Sequence, residues 1–229
     1  MKICVFDVET TGLPEKEARY GASAINTHLW PYVVQLAYVL YDTDENKVTK
    51  AVSKIIDIPQ EIVSTEESLK VHGITRDKCD KEGVNIKDAL LTFFDDCKDV
   101  VEFVGHNLDF DSNMLRAECY RILQNMRNND FVSSYVAYTN QVKRVKMTCT
   151  MRENKDRCKI ERYWDDGKKY NKFPTLAELH EHLFDTTPVD LHDALVDVLV
   201  CLRCFYKTRY CEDINETCDS VLKSIQCTA

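Results

Sequence analysis

The 229-residue chain is 44% hydrophobic and 30% charged, the balance of a folded domain and not of a disordered segment. Its length suits one domain of generous size, and no run approaches the ~20 apolar residues of a membrane span. A formal charge of −8 argues against adhesion to nucleic acid over the whole surface. Residues 143–172 nevertheless carry eleven lysines and arginines against five acids, a net +6 that leaves −14 elsewhere. That stretch reads either as a phosphate-tracking ribbon or as a solvated surface loop.

In chain order, Lys2–Asp7 reads as a buried first strand, and its apolar run is too short for a signal-peptide core. A cytoplasmic or nuclear protein is expected, not a secreted one. The eleven cysteines are then expected as free thiols. Cys201-x-x-Cys204 lies inside a helical pattern with no second Cys/His pair at zinc spacing, so buried thiols are favoured over a zinc site. After a polar stretch to about residue 28, Val33–Tyr41 and residues 48–56 form a β-hairpin around Asp42–Asn46. Residues 85–98 have helical period. Val100–Val104 is a short strand, a helix runs from about Asp109 to Met126, and Val145–Cys149 is again strand-like. Thr175, with Glu178 three residues on, caps a short helix to Phe184. Leu191–Arg209 is a long amphipathic helix, and Ile214–Ile225 could form another. Strands come first and then alternate with helices. The pattern predicts an α/β fold, a central mixed sheet flanked by helices, over residues 1–209, with 210–229 as a tail.

Three motifs carry chemistry. In Phe6-Asp7-Val8-Glu9-Thr10-Thr11-Gly12-Leu13, strand geometry puts Asp7 and Glu9 on one sheet face. A lone Asp-x-Glu is commonly a solvated edge pair. Here it follows an apolar run, where two carboxylates are costly unless a cation lies between them. Asp111 ends His106-Asn107-Leu108-Asp109-Phe110-Asp111, near the start of a helix; the competing reading is an acid stabilised by the helix dipole. His192 and Asp197, in His192-Asp193-Ala194-Leu195-Val196-Asp197, would be about 140° apart on one helix. They can share a site only if His192 lies on the loop before it, with Asp190 or the Pro188 turn beginning the helix. Asp197 then sits among Ala194, Leu195, Val198 and Leu199, where an uncompensated carboxylate is expensive, while Asp193 faces solvent. Four carboxylates and an imidazole suit metal-assisted phosphodiester hydrolysis.

Taken together and in this order, the three motifs resemble those of the DEDDh 3′→5′ exonucleases. That family includes the proofreading subunit of bacterial replicative polymerase, RNase T and oligoribonuclease. The resemblance spans residues 3–207, and Val71-His72-Gly73-Ile74-Thr75 resembles a family turn. It implies an RNase H-like fold, with Asp7, Glu9, Asp111 and Asp197 holding two Mg²⁺ or Mn²⁺ ions and His192 as general base. It implies backbone contacts from Thr10, Thr11 and Gly12 to the last nucleotide, a wedge against the terminal base from Leu13, and a sugar or phosphate contact from Asn107. Phe110 would either stack on a base or pack in the core. Thr10 stands where oligoribonuclease usually carries Met, which favours the proofreading-like branch. The expected reaction releases nucleoside monophosphates from single-stranded or frayed 3′ ends, DNA before RNA. An exoribonuclease is one alternative, and a noncatalytic module that binds nucleic acid or a polymerase is another. A DNA polymerase could supply processivity to so acidic a protein. The oligomeric state stays open, a homodimer included.

Overall fold

The computed structural model describes residues 1–125, 129–214 and 227–228. Ile3, Cys4, Val5 and Phe6 are all buried, so the strand they form has no solvent face and belongs inside a sheet. This is β1 (Lys2–Thr10), three residues longer than its apolar run predicts. The others are β2 (Val33–Asp42), β3 (Lys47–Ile55), β4 (Glu102–Gly105) and β5 (Lys146–Cys149), in the order β3-β2-β1-β4-β5. β2 runs antiparallel to β1 and β3, whereas β4 is parallel to β1 and β5, which is the expected mixed sheet. β3 lies at the edge, and Lys47, Lys50 and Lys54 along it are exposed. Charged side chains of that kind discourage edge-to-edge pairing.

The helices are α1 (Glu66–His72), α2 (Arg76–Glu82), α3 (Ile86–Asp96), α4 (Leu108–Asn125), α5 (Asn129–Val142), α6 (Thr150–Glu153), α7 (Lys155–Cys158), α8 (Leu176–Phe184) and α9 (Ala194–Tyr210). A separate hairpin, β6 (Glu161–Tyr163) and β7 (Lys169–Asn171), stands between α7 and α8. Alternation along β1 divides the core. Cys4, Phe6 and Val8 meet Phe93 and Phe94 of α3, Met114 and Leu115 of α4 and Phe131 of α5. Ile3 and Val5 face Val198, Leu202 and Phe205 of α9. Phe6 and Phe93 have ring centroids 5.6 Å apart, and Phe6 meets Phe103 edge-on at 6.0 Å. Each buried ring of this kind contributes about 1.5–3 kcal/mol.

Two features of this frame create a site. The β1–β4 ladder covers only Ile3–Val5 against Glu102–Val104. The remainder of β1 stays paired with β2 but is open on its other side. There the chain leaves β4 sharply. A Cβ on Gly105 would lie 2.9 Å from Leu108 Cδ1 and 3.3 Å from the Phe6 carbonyl. Asn107 follows at φ +69°, a conformation Asn tolerates, and α4 starts across the open stretch.

Several expectations need correction. α1, α2 and α5 were not legible from periodicity, nor were α6, α7 and the β6–β7 hairpin. The polar stretch after β1 contains two 3₁₀ turns, Lys16–Tyr20 and Thr27–Leu29, and is tied to α4. Arg121 donates to the carbonyls of Thr27, Trp30 and Pro31, and Asn113 Oδ1 accepts the Ala22 amide at 3.0 Å. α9 begins at Ala194, capped by Asp193 and not by Asp190 or the Pro188 turn. Cys201 and Cys204 are buried free thiols, as expected. The expected helix at 214–225 lies outside the described residues apart from Ile214, which is buried beside α9. Among the described residues no helix is long and apolar enough to cross a membrane.

Candidate active site

Asp7 and Glu9 continue the β1 face of Ile3 and Val5, and α9 covers that face. Asp197, in the first turn of α9, therefore points at the end of β1. His192 lies outside the helix at φ +79°, as the 140° argument requires. Its backbone N–H donates to both oxygens of Asp197, at 3.3 and 3.2 Å. This contact helps hold a left-handed backbone that a non-glycine residue adopts at some cost. Ligand atoms of Glu9, His192 and Asp197 all lie within 4.8 Å of one another.

Asp111 reaches the same place from α4. It is 2% exposed, and its Oδ1 accepts the Val8 amide at 3.2 Å, the amide between Asp7 and Glu9. Its Oδ2 is buried, and among the described residues it has no hydrogen-bond partner. Asp109, the other acid of that turn, is exposed and pairs with Arg152.

The electrostatics are those of acids crowded out of water. Burial, then Asp111, Asp197 and Glu9, hold Asp7 well above the ordinary carboxylate range. Burial, then Asp197, Asp111 and Asp193, push Glu9 up to about 8. Asp111 is pushed up to about 8 by burial, against the pull of the Val8 amide and its own. Asp197 rises to about 7, again chiefly by burial, opposed by the His192 amide. Among the described residues no lysine or arginine draws any of the four down. Oxygen donors with one buried lone-pair site unused fit a hard divalent cation, which would relieve the repulsion.

Around this cluster, hydrogen bonds to Asp193 and Gln35 fix the backbone. Asp193 Oδ1 caps α9 through the amides of Leu195 at 2.9 Å and Val196 at 3.4 Å. Gln35 is the polar exception within β2, which is otherwise apolar as far as Tyr41, and it pairs with Glu9 across the ladder. Its Oε1 accepts the Ala194 amide at 3.2 Å, and its Nε2 donates to Ser53 Oγ at 3.0 Å and Asp193 Oδ2 at 3.4 Å. Gln35 thus docks the start of α9, and with it His192 and Asp197, onto the sheet. Sequence reasoning missed it, although a lone amide in an all-apolar strand was the available signal. Below the loop, His180 Nδ1 bonds the Thr186 carbonyl at 2.8 Å, and its Nε2 lies 2.9 Å from Arg203, which is paired with Asp213.

The loop after β1 is equally fixed. His72 accepts the Ile74 amide on Nδ1 at 2.9 Å, so its Nε2 carries the proton and donates to the Thr10 carbonyl at 3.1 Å. The Thr11 carbonyl accepts from Thr65 N at 2.8 Å and Ser68 Oγ at 3.1 Å. The motif turn at His72 therefore anchors the site loop. Gly12 is buried, and a Cβ there would lie 3.0 Å from Thr65 Cγ2. Leu13 follows at 84% exposure, an apolar side chain presented to solvent beside the acids' loop. Asn107 is exposed at the end of β4. Phe110 packs partly buried against the core, which favours the packing role over base stacking. His106 bonds Thr150 Oγ1 and the Pro174 carbonyl, both at 3.0 Å, an anchoring role the motif did not reveal.

A family model described as exonuclease matches residues 4–205. No curated protein matches the sequence. Among solved structures, Escherichia coli exonuclease I in complex with a dA16 oligonucleotide is 17% identical, with a TM-score of 0.58 over 91% of this chain and 41% of that one. The zinc-bound form of the same organism's enzyme with single-stranded DNA is 16% identical, with a TM-score of 0.59 over 91% and 41%. A moderately thermophilic exonuclease I from Methylocaldum szegediense is 16% identical, with a TM-score of 0.58 over 94% and 42%. The chain spans about two fifths of the length of these proteins. The likeness is one of fold.

Proposed function

The chain belongs to the exonuclease family, and from that premise we propose that it is a 3′→5′ exonuclease that removes nucleoside monophosphates from single-stranded or frayed DNA. The observation that carries this reading is the cluster of Glu9, His192 and Asp197, with Asp7 and Asp111 near enough to repel these acids and the buried Asp111 Oδ2 unsatisfied among the described residues. The DNA strands held by the exonuclease I structures support the substrate class, and the zinc-bound form supports a divalent ion.

In this reading the four carboxylates hold two Mg²⁺ or Mn²⁺ ions, which would stabilise charge on the attacking and leaving oxygens. His192 accepts a proton from the attacking water. Water oxygen bonds to phosphorus, the bond to the 3′ oxygen of the penultimate nucleotide breaks, and that oxygen is protonated from solvent. The exposed position of His192 suits the task, because the proton must pass onward to bulk water. Thr10, Thr11 and Gly12, fixed from behind by His72, Thr65 and Ser68, offer backbone groups to the last nucleotide. Leu13 wedges against its base, and Asn107 orients the sugar or phosphate.

The test is digestion of 5′-labelled single strands, DNA and RNA of matched sequence, with Mg²⁺, Mn²⁺ or EDTA. A metal-dependent ladder that shortens from the 3′ end, faster on DNA, is expected. Faster loss of RNA would replace the substrate. No cleavage of either strand, with divalent ions bound, would overturn the activity in favour of a binding role.

A further inference from the structure

We propose that the β6–β7 hairpin is a strand-binding arm, which grips single-stranded nucleic acid on the 5′ side of the nucleotide being removed. The inference rests on the exonuclease reading above.

The hairpin pairs Arg162 with Tyr170 and Tyr163 with Lys169, and the Trp164 amide donates to the Lys168 carbonyl at 2.9 Å. Strand alternation therefore puts Arg162, Trp164, Lys168 and Tyr170 on one face. Trp164 and Tyr170 stack there as a diagonal pair, with ring centroids 4.2 Å apart and planes 24° apart. Closing the hairpin accounts for one side of Trp164 but leaves it 58% exposed, with Tyr163 66% exposed nearby. An isolated two-stranded ribbon is only marginally stable in water, so large aromatic surface left in solvent on it calls for a partner.

Charge identifies that partner. Residues 155–172 carry seven cations and four acids, a net +3 on a protein of −8. Lys168 pairs with Asp166 at 2.7 Å, Lys169 with Glu161, and Lys172 with Glu178 at 2.6 Å. Arg157, Lys159 and Arg162 are exposed and, among the described residues, have no acid partner. Cations that track a backbone, interleaved with aromatic platforms for bases, are the two components of sequence-tolerant single-strand binding.

The root of the arm lies at the candidate site. Phe173, two residues after β7, is 44% exposed under the Lys155 ammonium, which lies 4.7 Å from its ring centre. The next carbonyl, that of Pro174, is bonded to His106, the neighbour of Asn107. A strand whose 3′ end lies at the carboxylates and whose sugar meets Asn107 has this arm beside its continuation.

The experiment uses the full chain in EDTA, titrated with a long oligothymidylate. Tryptophan fluorescence should be quenched saturably, because Trp164 stacks on bases whereas the second tryptophan, Trp30, is 7% exposed. The quenching should vanish in Trp164→Ala. With Mg²⁺, the ratio of kcat/KM for the long strand to that for a trinucleotide should fall about tenfold in Trp164→Ala and recover in Trp164→Phe. Equal quenching in Trp164→Ala, a strand that does not bind, or an unaltered ratio would each overturn the arm. Failure of the exonuclease reading shows separately, as intact quenching with neither substrate cleaved by the unsubstituted protein.

Discussion

At the start of the β1–β4 pair, Glu102 is buried beside Ile3, and its carboxylate accepts both terminal nitrogens of Arg209, at 2.6 and 2.8 Å. Thr148 adds a hydrogen bond and Lys146 an ion pair at 3.4 Å. At the far end of β1, Asp7 and Glu9 are crowded with Asp111 and Asp197, and among the described residues no basic side chain partners them. Burial works against all of these acids, but the outcome has opposite signs. Arg209, Thr148 and Lys146 draw Glu102 below its ordinary value despite burial, whereas burial and mutual repulsion raise the acids of the other end. An acid completed by its own protein serves the fold. Acids left incomplete by their protein are completed by something else, and their cost in the free protein is the mark of that role.

Removing one acid from each end breaks the comparison most sharply. Asp7→Ala should lower exonuclease activity by about 10³-fold or more, as loss of a transition-state electrostatic group does. It should leave the metal-free melting temperature unchanged or higher, because it relieves repulsion. Glu102→Gln should do the reverse: destabilise by about 2 kcal/mol, since charge-assisted hydrogen bonds to Arg209 are weakened, with the chemistry intact. Thermal melts and strand digestion on both variants check this; a strongly destabilised Asp7→Ala would show that the site's acids serve the fold instead.

His192→Ala sharpens the distinction within the site. A general base contributes about 10²–10⁴-fold, so the rate should fall by that much while calorimetric Mn²⁺ binding persists. Parallel loss of Mn²⁺ would make the imidazole a ligand, which its position within 4.8 Å of the oxygens of Glu9 and Asp197 allows.

The two ends should also respond oppositely to pH. Glu9 has a folded value of about 8, raised from 4.5, so the stability its protonated form contributes is complete below about 4.5 and is lost as pH rises towards 8. Asp197, near 7 when folded, follows the same course. Glu102 is lowered, so its contribution is present above 4.5 and is lost as pH falls through its folded value. Metal-free protein should therefore melt lower at pH 8 than at pH 6. Mn²⁺ should restore at least about 3 °C at pH 8, equivalent to about 1 kcal/mol in a chain of this size. A Mn²⁺ effect equally large at pH 5 would contradict the assignment.

The sequence made the incomplete end more legible than the rest. Asp7 and Glu9 after an apolar run, and His192 five residues before Asp197, constrained geometry strongly enough to put the histidine on a loop. The start of α9 was misread because Leu191 extends the apolar pattern; it packs with α8 while the left-handed residues Asp190 and His192 keep the chain out of a helix. α5 was missed because Phe131, Val132, Tyr135, Val136 and Tyr138 mix aromatic and β-branched residues with serines. Packing of Phe131 and Tyr138 on Phe94 overrides that propensity. α1 and α2 are seven residues each, too short for a period to register, although Thr65 and Thr75 cap them as their type allows.

Gln35 links the two kinds of site, since it is a complete, neutral group beside the incomplete acids. Its side chain satisfies the Ala194 amide and reaches Asp193, so its removal leaves a buried N–H without a partner. Gln35→Leu, similar in volume, should destabilise by about 1–2 kcal/mol. If the helix start were held only by its cap, activity would follow stability and no more. Docking through Gln35 instead sets the distance of Asp197 from Glu9, so kcat should fall about tenfold at temperatures where the variant is fully folded, with KM for the strand little moved. Gln35→Glu retains an acceptor for Ala194 but adds a fifth acid beside Glu9. It should recover stability at low pH only, which separates the loss of a hydrogen bond from the addition of a charge.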